Sequence, residues 1–258
     1  MIARIAAPLI VGIVFLVLWE AAVRYFAVPP YVLPGPIAIG TALWNDGAGL
    51  LTPLWVTLQI TFAALVAAVV LGGALGILLA QSRWIELSFL PYAVALQVTP
   101  VVSIAPLIII WIDDPFFAAT ICAWIVAFFP IVSNTTLGLR STDRNLSDLF
   151  RLYRAGRWQT LRYLKLPTAL PYFFGGVRIS GGLALIGAVV AEFVAGTGGT
   201  ETGLASRILE AGHRLQIPRL FAALFLLAVA GVLIYLALGW ITNRALRHWH
   251  ESALPEET

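Results

Sequence analysis

The chain has 258 residues, of which 60% are apolar and 11% charged, with a mean hydropathy of +0.91. Soluble domains carry about 25% charge, so a soluble globular fold is excluded; at about 20 residues per crossing helix, the chain holds roughly five to seven spans and no sizeable soluble domain. The net charge of +3 does not point to nucleic acid, because the basic residues cluster at membrane flanks, where the positive-inside rule accounts for them.

Charges are costly in the bilayer core, so the gaps between them mark the spans. In chain order these gaps predict an all-α membrane protein of six transmembrane helices at about 6–25, 56–80, 90–111, 117–139, 171–195 and 220–241, forming one domain. Glu20 falls near the end of the first span, where it can reach the interface. That span also has features of a signal peptide, but no clear small-residue cleavage site precedes Glu20 and Arg24. Val28 to Pro53 is rich in proline and glycine and predicts a non-helical lead-in to a short helix near Ile37 to Trp44. Asp113 and Asp114, ahead of Pro115, suit a turn and helix cap better than a cation site. Gly196-Thr-Gly-Gly-Thr suits a turn, and Leu204 to Arg214 a short helix. With the termini inside, 11 basic residues lie on the inner side and four on the outer, so both termini are expected in the cytoplasm. Cys122 is alone in the sequence, and His213, His248 and His250 are split between the outer face and the tail; no metal or catalytic cluster is expected.

One segment is unlike the rest. The island 140–165 carries seven of the 16 basic residues and two acids, Asp143 and Asp148. Leu146, Leu149, Phe150 and Tyr153 recur at helical spacing, and Trp158, Leu161 and Leu164 form a second apolar stripe beyond the break Arg154-Ala155-Gly156. Two short helices bent at Gly156 are predicted on the cytoplasmic side. The same residues also suit an amphipathic helix lying on anionic membrane lipid.

The end of the island, Leu164-Lys-Leu166-Pro167, resembles the conserved-loop motif of the membrane subunits of ATP-binding-cassette importers: Glu-Ala-Ala, three residues, Gly, nine residues, Ile, one residue, Leu-Pro. Aligning Leu166-Pro167 with Leu-Pro puts Ile on Leu164, Gly on Arg154 and Glu-Ala-Ala on Asp148-Leu149-Phe150. Leu149, Phe150 and Arg154 depart from the motif. Phe129-Pro-Ile-Val-Ser-Asn, Arg157-Trp-Gln-Thr-Leu-Arg, Gly176-Val-Arg178-Ile-Ser, Leu33-Pro-Gly-Pro36, Thr99-Pro100, Ala105-Pro106 and Val190-Ala-Glu192-Phe resemble the nitrate, sulfonate and taurine permeases of that class. The likeness runs from about Leu33 to Arg247.

The resemblance implies a type I importer permease in a bacterial inner membrane, working with a second copy of itself, two ABC ATPase subunits and a periplasmic or extracellular solute-binding protein. It implies that 140–167 is a coupling loop, with Asp148, Phe150, Tyr153, Arg154, Ala155, Gly156, Arg157, Trp158, Leu166 and Pro167 serving contact with the ATPase. Pro167 is expected to fix the second short helix against span five. Because Arg154 replaces the motif glycine and Gly156 follows two residues later, either the bend is displaced or the arginine makes its own contact.

No Gly-x-x-x-x-Gly-Lys-Ser/Thr phosphate loop occurs in the chain, so ATP and Mg belong to the partner ATPase and no cofactor is expected in this subunit. Spans three and five are expected to line the path, with Gln97, Thr99, Ser103 and Glu192 facing it. Glu192 has two further readings, pairing with Arg207 or Arg214 and gating of the outer mouth, while Arg178 has the options of snorkelling or bonding the inner loop. The solute class includes small anions and polar organic molecules such as nitrate, sulfonates, taurine, bicarbonate and heterocyclic vitamin precursors. An ion-coupled secondary transporter is the rival reading; it calls for several buried acids or repeated broken helices, and Glu192 alone meets that description.

Overall fold

The structure, a computed structural model, describes residues 2–196 and 202–247, with side chains from Ala6 onward. Beyond Gly196, the predicted glycine-rich turn lies outside the described residues, as do His248 and His250. Among the described residues the elements are all helices: α1 (Ile2–Tyr25), α2 (Pro36–Gln81), α3 (Arg83–Val98), α4 (Val101–Trp111), α5 (Pro115–Arg140), α6 (Arg144–Leu152), α7 (Arg157–Ala195), α8 (Leu204–His213) and α9 (Ile217–Leu246). Five of them, α1, α2, α5, α7 and α9, are each long and apolar enough to cross a membrane. The bent pair α3 and α4 supplies a sixth span if counted as one.

The chain divides into two compact units, Met1–Thr57 with Gly196–Val229, and Leu58–Ala195 with Ala230–Thr258. In the first unit, α1 leaves Leu9 through Leu18 exposed, as expected of a helix that meets lipid. Its Glu20 pairs with Arg24 at 2.7 Å and accepts the Ile37 N–H at 3.2 Å, closing the otherwise open N-terminus of α2. A side chain at Gly35 would overlap the Glu20 carboxylate and displace it from its place at the start of α2. Thr57 Oγ1 accepts the Leu204 N–H at 2.8 Å and so caps α8. Trp19 packs on Phe221 with ring centroids 6.2 Å apart.

The core of the second unit is α5 against α7, packed through small residues. A Cβ at Gly187 would sit 2.7 Å from Ala123 Cα, and one at Gly176 would sit 2.9 Å from the Pro130 carbonyl oxygen. Ser180 Oγ donates to the Ala127 carbonyl at 2.6 Å. α2 also packs on α5, where Thr136 Oγ1 donates to Val132 O at 2.8 Å and to Gly76 O at 3.4 Å.

Three expectations are corrected. The short helix near 37–44 and the span at 56–80 are one helix of 46 residues. Pro36 starts it at the favoured first position, and Pro53 does not stop it, because interrupting the backbone in an apolar setting costs more than one missing donor. Span three is not a single rod: α3 and α4 meet at 97°. Thr99, ahead of Pro100, is forced extended at φ −72°, ψ 121°. Span five begins at Arg157 rather than near Pro171, so the second short helix of the island is the foot of α7 and Pro167 lies inside it. A π turn at Leu161–Lys165, directly ahead of Pro167, widens the helix where the ring would press on the preceding turn. Arg178 has a partner that the sequence did not suggest. Its guanidinium carbon lies 4.1 Å from the centroid of the Tyr235 ring, a cation–π contact worth about 2 kcal/mol when desolvated.

Candidate coupling element and translocation cleft

The island folds as α6, a tight turn and the first turns of α7. Asp143 caps α6, its carboxylate accepting the Asn145 N–H at 2.6 Å. Asp148 and Arg151 form an exposed i,i+3 pair at 3.4 Å, too exposed to add much stability. No residue of α6 is buried. Its apolar side chains Leu146, Leu149 and Leu152 are exposed, as is Tyr153 just beyond its end, at 78%. The second stripe divides: Leu161 and Leu164 are buried, while Trp158 stays 68% exposed. Leu166 packs against the cluster of Leu139, Leu161 and Ala169.

The turn answers what the sequence left open about Arg154. The Ala155 N–H donates to Phe150 O and the Arg154 N–H to Arg151 O, both at 2.9 Å, which is the Schellman pattern ending a helix. Its left-handed residue is Arg154, at φ +53°. This is the position where the importer motif has glycine, the residue suited to that conformation. The bend is therefore not displaced to Gly156, whose φ is an ordinary −67°. Gly156 opens α7, donating its N–H to the Gln159 side-chain oxygen at 2.8 Å. Tyr153, Arg154, Gly156, Arg157 and Trp158 thus form one exposed corner.

The second feature is a cleft of about 340 Å³ at the α3–α4 break, lined by Gln97, Thr99 and Pro100 facing Val126, Pro130 and Leu183. Thr99 Oγ1 donates to Ala95 O at 2.7 Å, leaving its lone pairs as acceptors. The lining carries no charged residue. Of the four path candidates, Gln97 and Thr99 meet here; Ser103 is exposed elsewhere on α4, and Glu192 is 4% exposed within the packing of α7. Arg207 and Arg214, offered by the sequence as partners for Glu192, both bind Glu210, each at 2.8 Å. These arginines hold the Glu210 carboxyl below its ordinary value, mainly through the Arg207 hydrogen bond.

Sequence reasoning missed one side-chain pair near the island. Arg140, the last residue of α5, holds Glu86 in the first turn of α3 through both guanidinium nitrogens and both carboxylate oxygens. Nothing in the sequence pairs residues 54 positions apart; Arg140 stood out there only as one of the bases of the island.

Residues 72–248 match the family described as binding-protein-dependent transport system inner membrane component. The chain belongs to that family. This permease is 37% identical over 247 residues to the riboflavin transport system permease protein RibX of Chloroflexus aurantiacus, covering 92% of the chain and 87% of the relative. It is 32% identical to the formylaminopyrimidine transport permease protein ThiX of Halalkalibacterium halodurans, covering 92% and 93%. Among solved structures, the inward-facing MetNI methionine ABC transporter matches with a TM-score of 0.65 at 20% identity, covering 76% of the permease and 95% of that chain. The permease is a multi-pass inner-membrane subunit of an ABC importer, a transport component whose ATPase is a separate chain.

Proposed function

We propose that this permease carries a small, neutral, hydrogen-bonding solute of the heterocyclic kind and takes its drive from an ATPase that grips the corner of α6 and α7. The observation that carries the substrate class is the uncharged cleft: Gln97 and Thr99 offer an amide and a hydroxyl among apolar walls. An anion in such a place lacks a cation to offset its desolvation, whereas a flat heterocycle buries its faces and bonds its edges. The names of the riboflavin and formylaminopyrimidine relatives agree with this choice.

The coupling role rests on α6, which keeps an apolar face in the open and runs through the tight turn at Arg154 into the base of α7. Tyr153 and Trp158 supply apolar contact; Arg151, Arg154 and Arg157 supply charge for acids on the ATPase. Asp148, Phe150 and Ala155 shape the corner, and Leu166 and Pro167 brace it from within α7. A second copy of the chain completes the membrane domain, two ATPase subunits face the cytoplasm, and an external binding protein delivers the solute.

Uptake of radiolabelled riboflavin and of taurine by cells expressing the whole transporter tests the substrate class: saturable riboflavin uptake is expected, and taurine uptake without riboflavin uptake would overturn the assignment. Tyr153→Asp tests the coupling corner. Tyr153 is largely exposed, so the permease should still reach the membrane but lose co-purification of the ATPase; retained association and transport would refute the docking role.

A further inference from the structure

The pair Glu86 and Arg140 stands where the proposed coupling element ends and the wall of the cleft begins. Arg140 closes α5 immediately before α6, and Glu86 lies in the first turn of α3. The far end of the same helix, Gln97 and Val98, lines the cleft. Glu86 is 16% exposed at its side chain and Arg140 42%, and the bidentate geometry holds direction as well as distance.

Most of the rest of α3 is exposed. Ala93 is its one buried residue, while Leu87, Phe89, Tyr92 and Val98 are exposed. Near the foot, Ile85 packs against Leu79, Phe128 and Val132. A helix held at its foot by a directional ion pair and largely exposed beyond it passes a displacement of the foot on to its far end, here the α3–α4 corner. At about 1.5 Å per residue, Gln97 lies about 16 Å from Glu86 along the axis.

We propose that Glu86 and Arg140 are positioning residues that transmit displacement of the coupling corner into α3, so that ATP binding by the partner moves Gln97 and Thr99 and opens or closes the cleft. The proposal rests on the coupling role of α6; the Tyr153→Asp experiment tests that role independently.

The experiment uses the whole complex with its ATPase, in nanodiscs, with Cys122→Ala as background and Val98→Cys as reporter. The labelling rate by a charged maleimide is measured with and without ATP plus vanadate. In the reporter protein the rate should change several-fold with nucleotide. Glu86→Gln and Arg140→Gln should each abolish that response while the complex stays assembled and ATP hydrolysis continues. The exchanged pair, Glu86→Arg with Arg140→Glu, should restore it, which a merely destabilised fold cannot explain. A full nucleotide response in the single variants, no response in the reporter protein, or failure of the exchanged pair to restore it would overturn the proposal. If a single variant does not accumulate in the membrane, the exchanged pair alone decides in the same way.

Discussion

Replacing Arg154 with glycine should tighten the turn between α6 and α7. At φ +53° a residue with a Cβ incurs about 1–2 kcal/mol relative to the right-handed region. Glycine avoids that but loses roughly 0.5–1 kcal/mol more chain entropy on ordering. The net gain is ~0.5–1 kcal/mol, or about two- to fivefold in the equilibrium between closed and open turn. The reporter is the Ala155 amide, which donates to Phe150 O at 2.9 Å and exchanges with solvent only when the turn opens. Hydrogen exchange of that amide should slow about two- to fivefold in Arg154→Gly, and Arg154→Ala, which removes the charge but keeps the Cβ, should leave it near the parent rate. If alanine slows exchange as much as glycine does, the charge rather than the backbone governs the turn and the reasoning fails; faster exchange in the glycine variant refutes it outright.

Two further outcomes are expected. Because Glu210 has its carboxyl held below the ordinary value of 4.5 by Arg207, with Arg214 and Arg219 assisting, its contribution to α8 is fully present above that ordinary value. It is lost as pH falls through the lower folded value. Acid-induced loss of α8 structure, followed by a fluorescent label on that helix, should therefore set in below pH 4.5, and Glu210→Gln should remove this dependence; a parent midpoint above it would contradict the assignment. Gly187→Ala forces a Cβ to 2.7 Å from Ala123 Cα, whereas Gly175→Ala meets nothing within 4 Å. The first should lower thermal stability in detergent by about 1–3 kcal/mol, with the second near neutral; equal effects would refute the close packing of α5 on α7.

Charge gaps were good guides to where helices lie, because burying a charge in lipid is costly irrespective of tertiary structure. Thus the limits of α5 and α9 were legible to within a few residues, and so was the capping of α5 by Asp114, which accepts the Phe117 N–H at 3.0 Å. Proline was a poorer guide, for it signals a possible break without deciding one. Pro53, Pro106 and Pro167 all lie inside helices, whereas Pro100 makes the 97° bend. The difference is local: the bend leaves Thr99 and Pro100 extended at the mouth of a cleft, and at Pro167 a π turn relieves the ring without ending the helix. The two helical pieces of the island were legible as two apolar stripes, but not the left-handed residue between them, since nothing in an arginine announces a left-handed backbone. The motif glycine did announce it, and position proved more informative than residue type.

The acids show the same limit from another side. Glu20, Glu86 and Glu210 entered the sequence reading only as boundary charges or not at all, while Glu192 drew attention for lying in an apolar run. Yet Glu20 closes the start of α2, Glu86 ties α3 to α5, and Glu210 gathers two arginines. Arg207 and Arg214 lie three residues before and four residues after Glu210 on its helix, close enough to meet it at no cost in loop closure. A pairing with Glu192 had to be arranged by the fold. Scarcity of charge marks a residue as conspicuous, but sequence proximity on a helix decides which pairs form first. The contact between Glu86 and Arg140, 54 residues apart, and that between Asp46 and Arg219 required the fold to be known.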